Sequence, residues 1–169
     1  MKKWSKLIAV VVLIFGLVNV GVGGAFIGIG ASKQHYLKTA MDQEKITTEL
    51  TDAQIAAGQL VDTMGEAQKA GDLVRSHRHG IAASYEELLG GGKYDPTNLK
   101  QLTYAQAMNI ENYLYLATAS WGITYMALGV GVALVLAGIA LIAIGFIVYR
   151  WAKRVYAEGT PAATATATV

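Results

Sequence analysis

The three histidines of this sequence are its candidate metal ligands. His77 and His79 flank Arg78, and His35 lies far from both in the sequence. Imidazole nitrogens bind zinc or copper, but residues two apart on a helix do not share a face. The sequence has no HExxH motif and no cysteine, which removes thiolate metal sites and disulfides. We therefore predict no metal ion and no other cofactor.

Acid–base pairs and glycine-rich phosphate loops are the other patterns that could do chemistry. Glu86 and Glu87 are adjacent, so they point in different directions on a helix. Residues 21–24 contain glycines inside an apolar run, and residues 90–92 precede no phosphate-binding pattern. No nucleophile motif with Ser, His and Asp is present. The sequence predicts that the chain is not an enzyme.

Length and composition indicate a small membrane protein. The chain has 169 residues, of which 53% are hydrophobic and 15% charged, whereas soluble domains carry roughly 25% charged residues. Residues 7–31 are 25 positions without a charge, and residues 123–149 also carry none. Since about 20 apolar residues span a bilayer, both segments predict transmembrane helices. The net charge of +2 is too small to indicate a nucleic-acid partner.

A cleaved signal peptide is the alternative for the first apolar segment. Lys2, Lys3 and Lys6 would form its basic end, and Gly28 and Gly30 its small-residue cleavage site. The apolar stretch is longer than the roughly 7–15 residues of a signal-peptide core. Its length therefore favours a retained span.

Flanking charges predict the orientation of the two spans. Basic residues stay on the cytoplasmic side of a membrane, so both termini are expected in the cytoplasm and residues 32–122 outside. This loop carries eight Lys/Arg and eleven Asp/Glu, a net charge of −3. The predicted divisions are 1–31 (N-terminus and first span), 32–122 (outer segment), 123–150 (second span) and 151–169 (basic stub and tail). The basic residues beside the spans are Lys2, Lys3, Lys6, Arg150, Lys153 and Arg154.

Most of the outer segment is predicted to be helical. The first helix continues past the membrane to about Asp42, because no Gly or Pro interrupts it. Thr51 offers a cap for a short helix, residues 66–79 have apolar positions spaced by three and four, and Ser84 with Glu87 fits a capping box.

One long helix is predicted to run through the second span. Asp95 before Pro96 is a good cap, and no further Pro occurs before about residue 156. The Ala/Thr-rich residues 159–169 have no apolar period and are predicted to be disordered.

Glycines recur at seven-residue intervals in both spans, which places each set on one side of a helix. Small residues let membrane helices approach closely. Two alternatives are open: the spans of one chain pack on each other, or the glycines bind a partner or a second copy. The predicted helix-packing residues are Gly16, Gly23, Gly24, Gly28, Gly30, Gly131, Gly138 and Gly145.

Aromatic and amide side chains mark the outer part of the last helix as a candidate docking face, because aromatic residues are enriched at interfaces. The alternative is packing against the helix that follows the first span, through Tyr36, Leu37, Ala40 and Met41. The candidate docking residues are Tyr104, Asn109, Asn112, Tyr113 and Trp121.

Three short stretches carry a resemblance to a known group. They are Gln43-Glu44-Lys45-Ile46-Thr47, Ala67-Gln68-Lys69-Ala70 leading to His77, and Ser84-Tyr85-Glu86-Glu87-Leu88. In these the chain resembles small bacterial two-span membrane proteins, which implies a bacterial cell membrane and the same topology. Some members carry the name of a ring-opening dioxygenase subunit. That chemistry needs iron held by His and carboxylate ligands, and the scattered histidines here supply no such set.

The sequence therefore predicts an all-α integral membrane protein. Its fold is a helical hairpin of two transmembrane helices, extended into a small helical extracytoplasmic cap. The predicted role is a structural or accessory subunit, or a scaffold, whose partners are the lipid bilayer and other membrane proteins or further copies of itself. The first alternative is an extracytoplasmic sensor of a ligand or of envelope stress, which a concave apolar pocket with converging polar groups would favour. An enzyme is a distant third, because it would require a metal or a strongly perturbed titratable group in a cleft. A filled cap with an exposed apolar patch would favour the subunit.

Overall fold

The computed structural model describes residues 2–158, and the part of the chain that it describes contains helices and no strands. The all-helical prediction is confirmed. The predicted disorder at residues 159–169 lies outside the described residues. The helices are α1 (Lys2–Glu44), α2 (Asp52–Ala56), α3 (Met64–Ile81), α4 (Tyr85–Leu89) and α5 (Leu99–Glu158).

Side-chain caps fix where the three short helices begin. The Thr51 hydroxyl accepts from the Gln54 N–H, and the Gln54 side chain accepts from the Thr51 N–H, which is a complete capping box. Thr63 caps α3 in the same way, with a hydroxyl that accepts from the backbone of Glu66. Ser84 caps α4. These hydroxyl groups satisfy N–H groups that a helix end leaves without partners.

The long helix α5 begins at Leu99, and its cap is three residues later than the predicted cap Asp95. Asp95 accepts hydrogen bonds from the N–H and the hydroxyl of Thr97, so its carboxylate closes the turn around Pro96. Asn98 is the residue that accepts from the first helical N–H groups, those of Lys100 and Gln101. The prediction of Asp95 as the cap was wrong, because a turn and a cap favour the same residue types.

The chain divides into two compact units. The first pairs α1 up to Gly28 with α5 from Ala127, and we call it the apolar hairpin. The second comprises residues 29–126 and holds α2, α3 and α4 with the adjoining parts of α1 and α5; we call it the capped unit.

Backbone contact between glycines holds the apolar hairpin together. A Cβ atom built on Gly23 would lie 2.6 Å from the carbonyl oxygen of Gly131, and one on Gly16 would lie 2.8 Å from that of Gly138. A step of seven residues forward in α1 thus matches a step of seven back in α5, as in an antiparallel pair. Gly145 continues the contact beside Leu13. Dispersion contacts of this kind drive helix association where no water is expelled.

The apolar hairpin leaves most of its surface uncovered. Two helices, Lys6–Glu44 and Leu99–Arg154, are long and apolar enough to cross a membrane, and only 17% of the most apolar window in each is buried. A core helix of a soluble protein would be mostly buried. The prediction of two apolar helices of spanning length is confirmed.

Two apolar clusters fill the capped unit. Met41 and Leu114 pack with Val61, which enters the cluster through the turn before α3. Around Tyr104 a second cluster gathers Ala82 and Leu88. Because the loop from α1 to α3 contributes to the first cluster, the backbone there is also tied down: the N–H of Val61 donates to the carbonyl of Ile46 over 2.8 Å.

Neighbouring glycines of α1 supply a matched test of the hairpin contact. Gly23→Ala places a methyl group against the Gly131 backbone, whereas Gly24→Ala meets nothing within 4 Å. We expect Gly23→Ala to lower the free energy of unfolding by about 1–3 kcal/mol through overpacking. Gly24→Ala should raise it slightly, because alanine is the better helix former. Denaturant unfolding of the purified chain, followed by circular dichroism, measures both. An equal effect of the two variants would contradict the contact.

Candidate docking surface

An uncovered groove runs between α1 and α5 in the capped unit. The residues that α5 contributes to the groove are spaced four, three and four positions apart in the sequence. This spacing places them on one side of a helix. Leu116 is 67% exposed although it lies at the centre of this row. We call the following residues the docking face: Asn109, Tyr113, Leu116 and Ser120 on α5, with Tyr36 and Ala40 on α1.

The groove has an apolar floor and open sides. A cavity of about 300 Å³ lies over Leu37, Met41 and Ala117, which belong to the two helices that form the groove. Beyond Tyr113 the groove continues to the end of α1, where Glu44 and Asn109 line it. The residues predicted for internal packing, Leu37 and Met41, and the predicted docking residue Tyr113 therefore meet in one place.

The structure separates the five predicted docking residues. Tyr104 and Trp121 are only 1% and 3% exposed, so neither can present its ring to a partner. Asn109 and Tyr113 line the groove. Asn112 is exposed but is not among the residues that line it.

The predicted helix-packing glycines also fall into separate groups. Gly16, Gly23, Gly131, Gly138 and Gly145 lie between the two helices of the apolar hairpin. Gly30 is buried in the capped unit. By contrast, Gly24 and Gly28 are exposed, and a Cβ on either would meet nothing within 4 Å. Among residues 2–158, no side chain or backbone packs closely on this GxxxG pair.

A buried ion pair fixes α5 against α3 beside the groove. Arg78 donates from Nε to Glu111 over 2.6 Å and from a terminal nitrogen over 3.3 Å, and it also donates to the Tyr104 hydroxyl. Both charged side chains are largely buried. The carboxylate of Glu111 raises the pKa of Arg78. A guanidinium that donates two hydrogen bonds to one carboxylate has a narrowly defined geometry. This pair therefore fixes the rotation of α5 about its own axis, and with it the direction that its exposed residues face.

A second polar contact joins the same helices at the surface. The Tyr115 hydroxyl donates to Asp72 over 2.7 Å, and this hydrogen bond lowers the pKa of the Asp72 carboxyl. The stabilisation it gives is therefore present at neutral pH and is lost as the pH falls through that lowered pKa. Gly71 makes room for the contact, because a Cβ there would lie 3.0 Å from the Tyr115 ring.

Tyr113 keeps its proton in the groove. Burial raises the pKa of its phenol, and the negative charge of Glu44 raises it further. The neutral hydroxyl can donate a hydrogen bond to a partner, while the ring supplies apolar contact area.

The histidines do not converge. His79 lies 3.1 Å from a terminal nitrogen of Arg78, whereas His77 and His35 are exposed. Among residues 2–158, no group of three His, Asp or Glu side chains is placed to hold a metal ion. Glu87 accepts from the N–H of Ala83 and so belongs to the cap of α4.

Sequence analysis missed the aliphatic member of the docking face and the ion pair that positions it. Leu116 could have been found from its spacing of three from Tyr113 and four from Ser120. Arg78 and Glu111 are 33 residues apart, and nothing in the local sequence marks them as partners.

Comparisons with known proteins gave no further assignment: no family model, no curated protein and no solved structure matches this chain. The resemblance to bacterial two-span proteins stays an expectation from the short stretches that carry it.

The ion pair provides a direct test of how α5 is positioned. Glu111→Gln leaves the buried Arg78 without a counter-charge, and we expect a loss of about 3–5 kcal/mol in the free energy of unfolding. Arg75→Gln is the matched control, since Arg75 is 4.0 Å from Glu111 and more than half exposed, and should cost under about 1 kcal/mol. Urea unfolding followed by circular dichroism compares the two.

Replacing both partners separates the ion pair from simple loss of packing. The double variant Arg78→Met with Glu111→Leu removes both charges, and we expect it to recover part of the lost stability. A Glu111→Gln variant as stable as the unchanged chain would show that the pair does not position α5.

Proposed function

We propose that this chain is a small integral membrane protein that acts as an accessory subunit or scaffold for another membrane protein. The apolar hairpin would cross the cell membrane of a bacterium, with both termini in the cytoplasm and residues 32–122 outside. Two helices of spanning length with uncovered apolar surfaces support the membrane location. The basic residues beside both spans support the orientation.

The main support for the proposal is the exposure of the docking face. Leu116 and Tyr36 are exposed apolar residues beside a cluster of buried apolar side chains that includes Met41 and Ala117. Exposed apolar patches on a well-packed surface mark interaction sites. The groove does not need to open or rearrange in order to accept a partner.

The partner proposed is an apolar helix. Two antiparallel helices with a row at steps of four and three residues offer the holes into which the side chains of a third helix pack. Asn109, at one polar end of the row, would set the register of that helix by hydrogen bonding. Association through Gly24 and Gly28 would be a second, membrane-embedded contact.

A ligand sensor finds less support in the cavities. A cavity of about 650 Å³ lies beside the turn between α2 and α3, and Asp42, Asp62 and Glu66 line it. Lys38 already pairs with Asp62. A lining of carboxylates is not the apolar pocket with few polar groups that small ligands favour.

Site-specific photo-crosslinking tests the docking face. Leu116→p-benzoylphenylalanine should give one discrete crosslinked product in the native membrane, because a bound helix would lie against this side chain. The matched control is Leu99→p-benzoylphenylalanine, since Leu99 is on the same helix and is 76% exposed but lies outside the groove. It should give no discrete product.

Gel electrophoresis and mass spectrometry of the product identify the partner. A second membrane protein supports the proposal. A product of twice the chain mass would instead make the groove a contact between copies. Absence of a product at Leu116, or the same product at both positions, would contradict a docking role.

A further inference from the structure

A small pocket adjoins the docking face and shares Tyr36 and Ser120 with it. On α1 the pocket lies at the end of the uncharged residues 7–32, and on α5 it lies within the uncharged residues 112–149. It has a volume of about 260 Å³. Leu37 and Ile123 give it apolar walls, and the residues with polar groups are Lys33, Tyr36, Ser120 and Thr124. We call these six residues the basal pocket. The Thr124 hydroxyl donates to the Trp121 carbonyl, so it is held in place by the backbone of α5.

The charge at this pocket is positive and uncompensated. Lys33 forms no ion pair with a carboxylate among residues 2–158, and its ammonium group lies 5.8 Å from the centre of the Tyr36 ring. The next charged group along α1, Lys38, pairs with Asp62. The first carboxylates on the two helices are Asp42, nine residues from Lys33, and Glu111, nine residues from Ser120. Nine residues correspond to about 13 Å along a helix axis.

The position of the pocket along both helices corresponds to a membrane surface. Lys33 is the first charge after the uncharged residues 7–32, and α5 has no charge between residues 112 and 149. Trp121 and Tyr125 stack on each other one turn apart on α5, with ring centres 6.2 Å apart. Tyr125 is the member of this pair that is exposed, since Trp121 is buried. Because exposed Tyr rings prefer the headgroup layer of a bilayer, the pocket would face that layer.

We propose that the basal pocket binds an anionic phospholipid, with the phosphate at Lys33 and Ser120 and the upper part of an acyl chain against Ile123. A lysine ammonium group without a counter-charge attracts the phosphate of an anionic lipid at a membrane surface, and the apolar walls beside Lys33 can contact the acyl chain. The apolar walls distinguish a lipid from a free phosphate ion. This inference rests on the proposed membrane location of the chain and adds a lipid of stated charge to its partners.

Lipid retention by the purified full chain tests the inference. The chain in detergent is incubated with equimolar phosphatidylglycerol and phosphatidylcholine of the same acyl chains, and native mass spectrometry counts the lipid that each molecule retains. We expect about fivefold preference for phosphatidylglycerol, from one lysine at the surface. Lys33→Gln should reduce this preference to near one, while Lys100→Gln, which removes an exposed charge outside the pocket, should leave it unchanged.

Two further measurements test whether lipid binds in the basal pocket and whether its acyl chain contributes to binding. Ser120→Phe fills the pocket and should reduce retention of both lipids, while circular dichroism shows an unchanged helix content. Millimolar inorganic phosphate should not displace phosphatidylglycerol, because it lacks the acyl chain.

Three results would overturn the inference: no lipid preference in the unchanged chain, a Lys33→Gln variant that keeps the preference, or displacement by phosphate. Reconstitution in vesicles distinguishes these from failure of the proposed function. A chain that inserts into vesicles but shows no preference loses only the lipid site. A chain that does not insert contradicts the membrane location itself.

Discussion

Apolar surface that the chain cannot cover by itself is the constraint on which the rest of the structure depends. Each of its two long helices buries only a small share of its most apolar stretch, and exposure of such surface to water costs about 25 cal/mol per Å². A bilayer removes that cost without any protein partner. What then remains is helix packing, and backbone contact at Gly16, Gly23, Gly131 and Gly138 supplies it.

The capped unit also has apolar surface that the chain itself does not cover. Its short helices are held by hydroxyl caps and by the ion pair of Arg78 with Glu111, and its two clusters are filled. These contacts leave Leu116 uncovered at the centre of its row. Under the proposed topology no lipid covers this row, and a protein helix is therefore the occupant that we propose for it.

The sequence predicted the helices well because their signals are local. Uncharged length identifies α1 and α5, and Thr51 and Ser84 mark helix starts through hydrogen bonds that span three residues. The choice between Asp95 and Asn98 as the cap of α5 was wrong, because both residue types also form turns. The seven-residue glycine spacing could be seen in the sequence, whereas the pairing of Gly23 with Gly131 required the register of two distant segments.

The candidate site was harder to predict because exposure depends on helix rotation. Tyr104 and Trp121 look like docking residues by type, yet they lie on the side of α5 that the chain itself covers. The rotation of α5 is set by Glu111 and Arg78, whose contact across 33 residues leaves no local pattern. Tyr113 and Asn109 could be predicted because aromatic and amide side chains are typical of interfaces. Leu116 was missed because leucine is common throughout an apolar helix and its type does not indicate exposure.

Mass spectrometry of the intact assembly, purified in mild detergent from its native membrane, tests whether this chain is bound to a second membrane protein. We expect this chain to be recovered with a second membrane protein in fixed stoichiometry, and we expect Leu116→Asp to release that protein while the chain stays folded. A chain recovered alone, with no second protein and no further copy, would contradict this expectation.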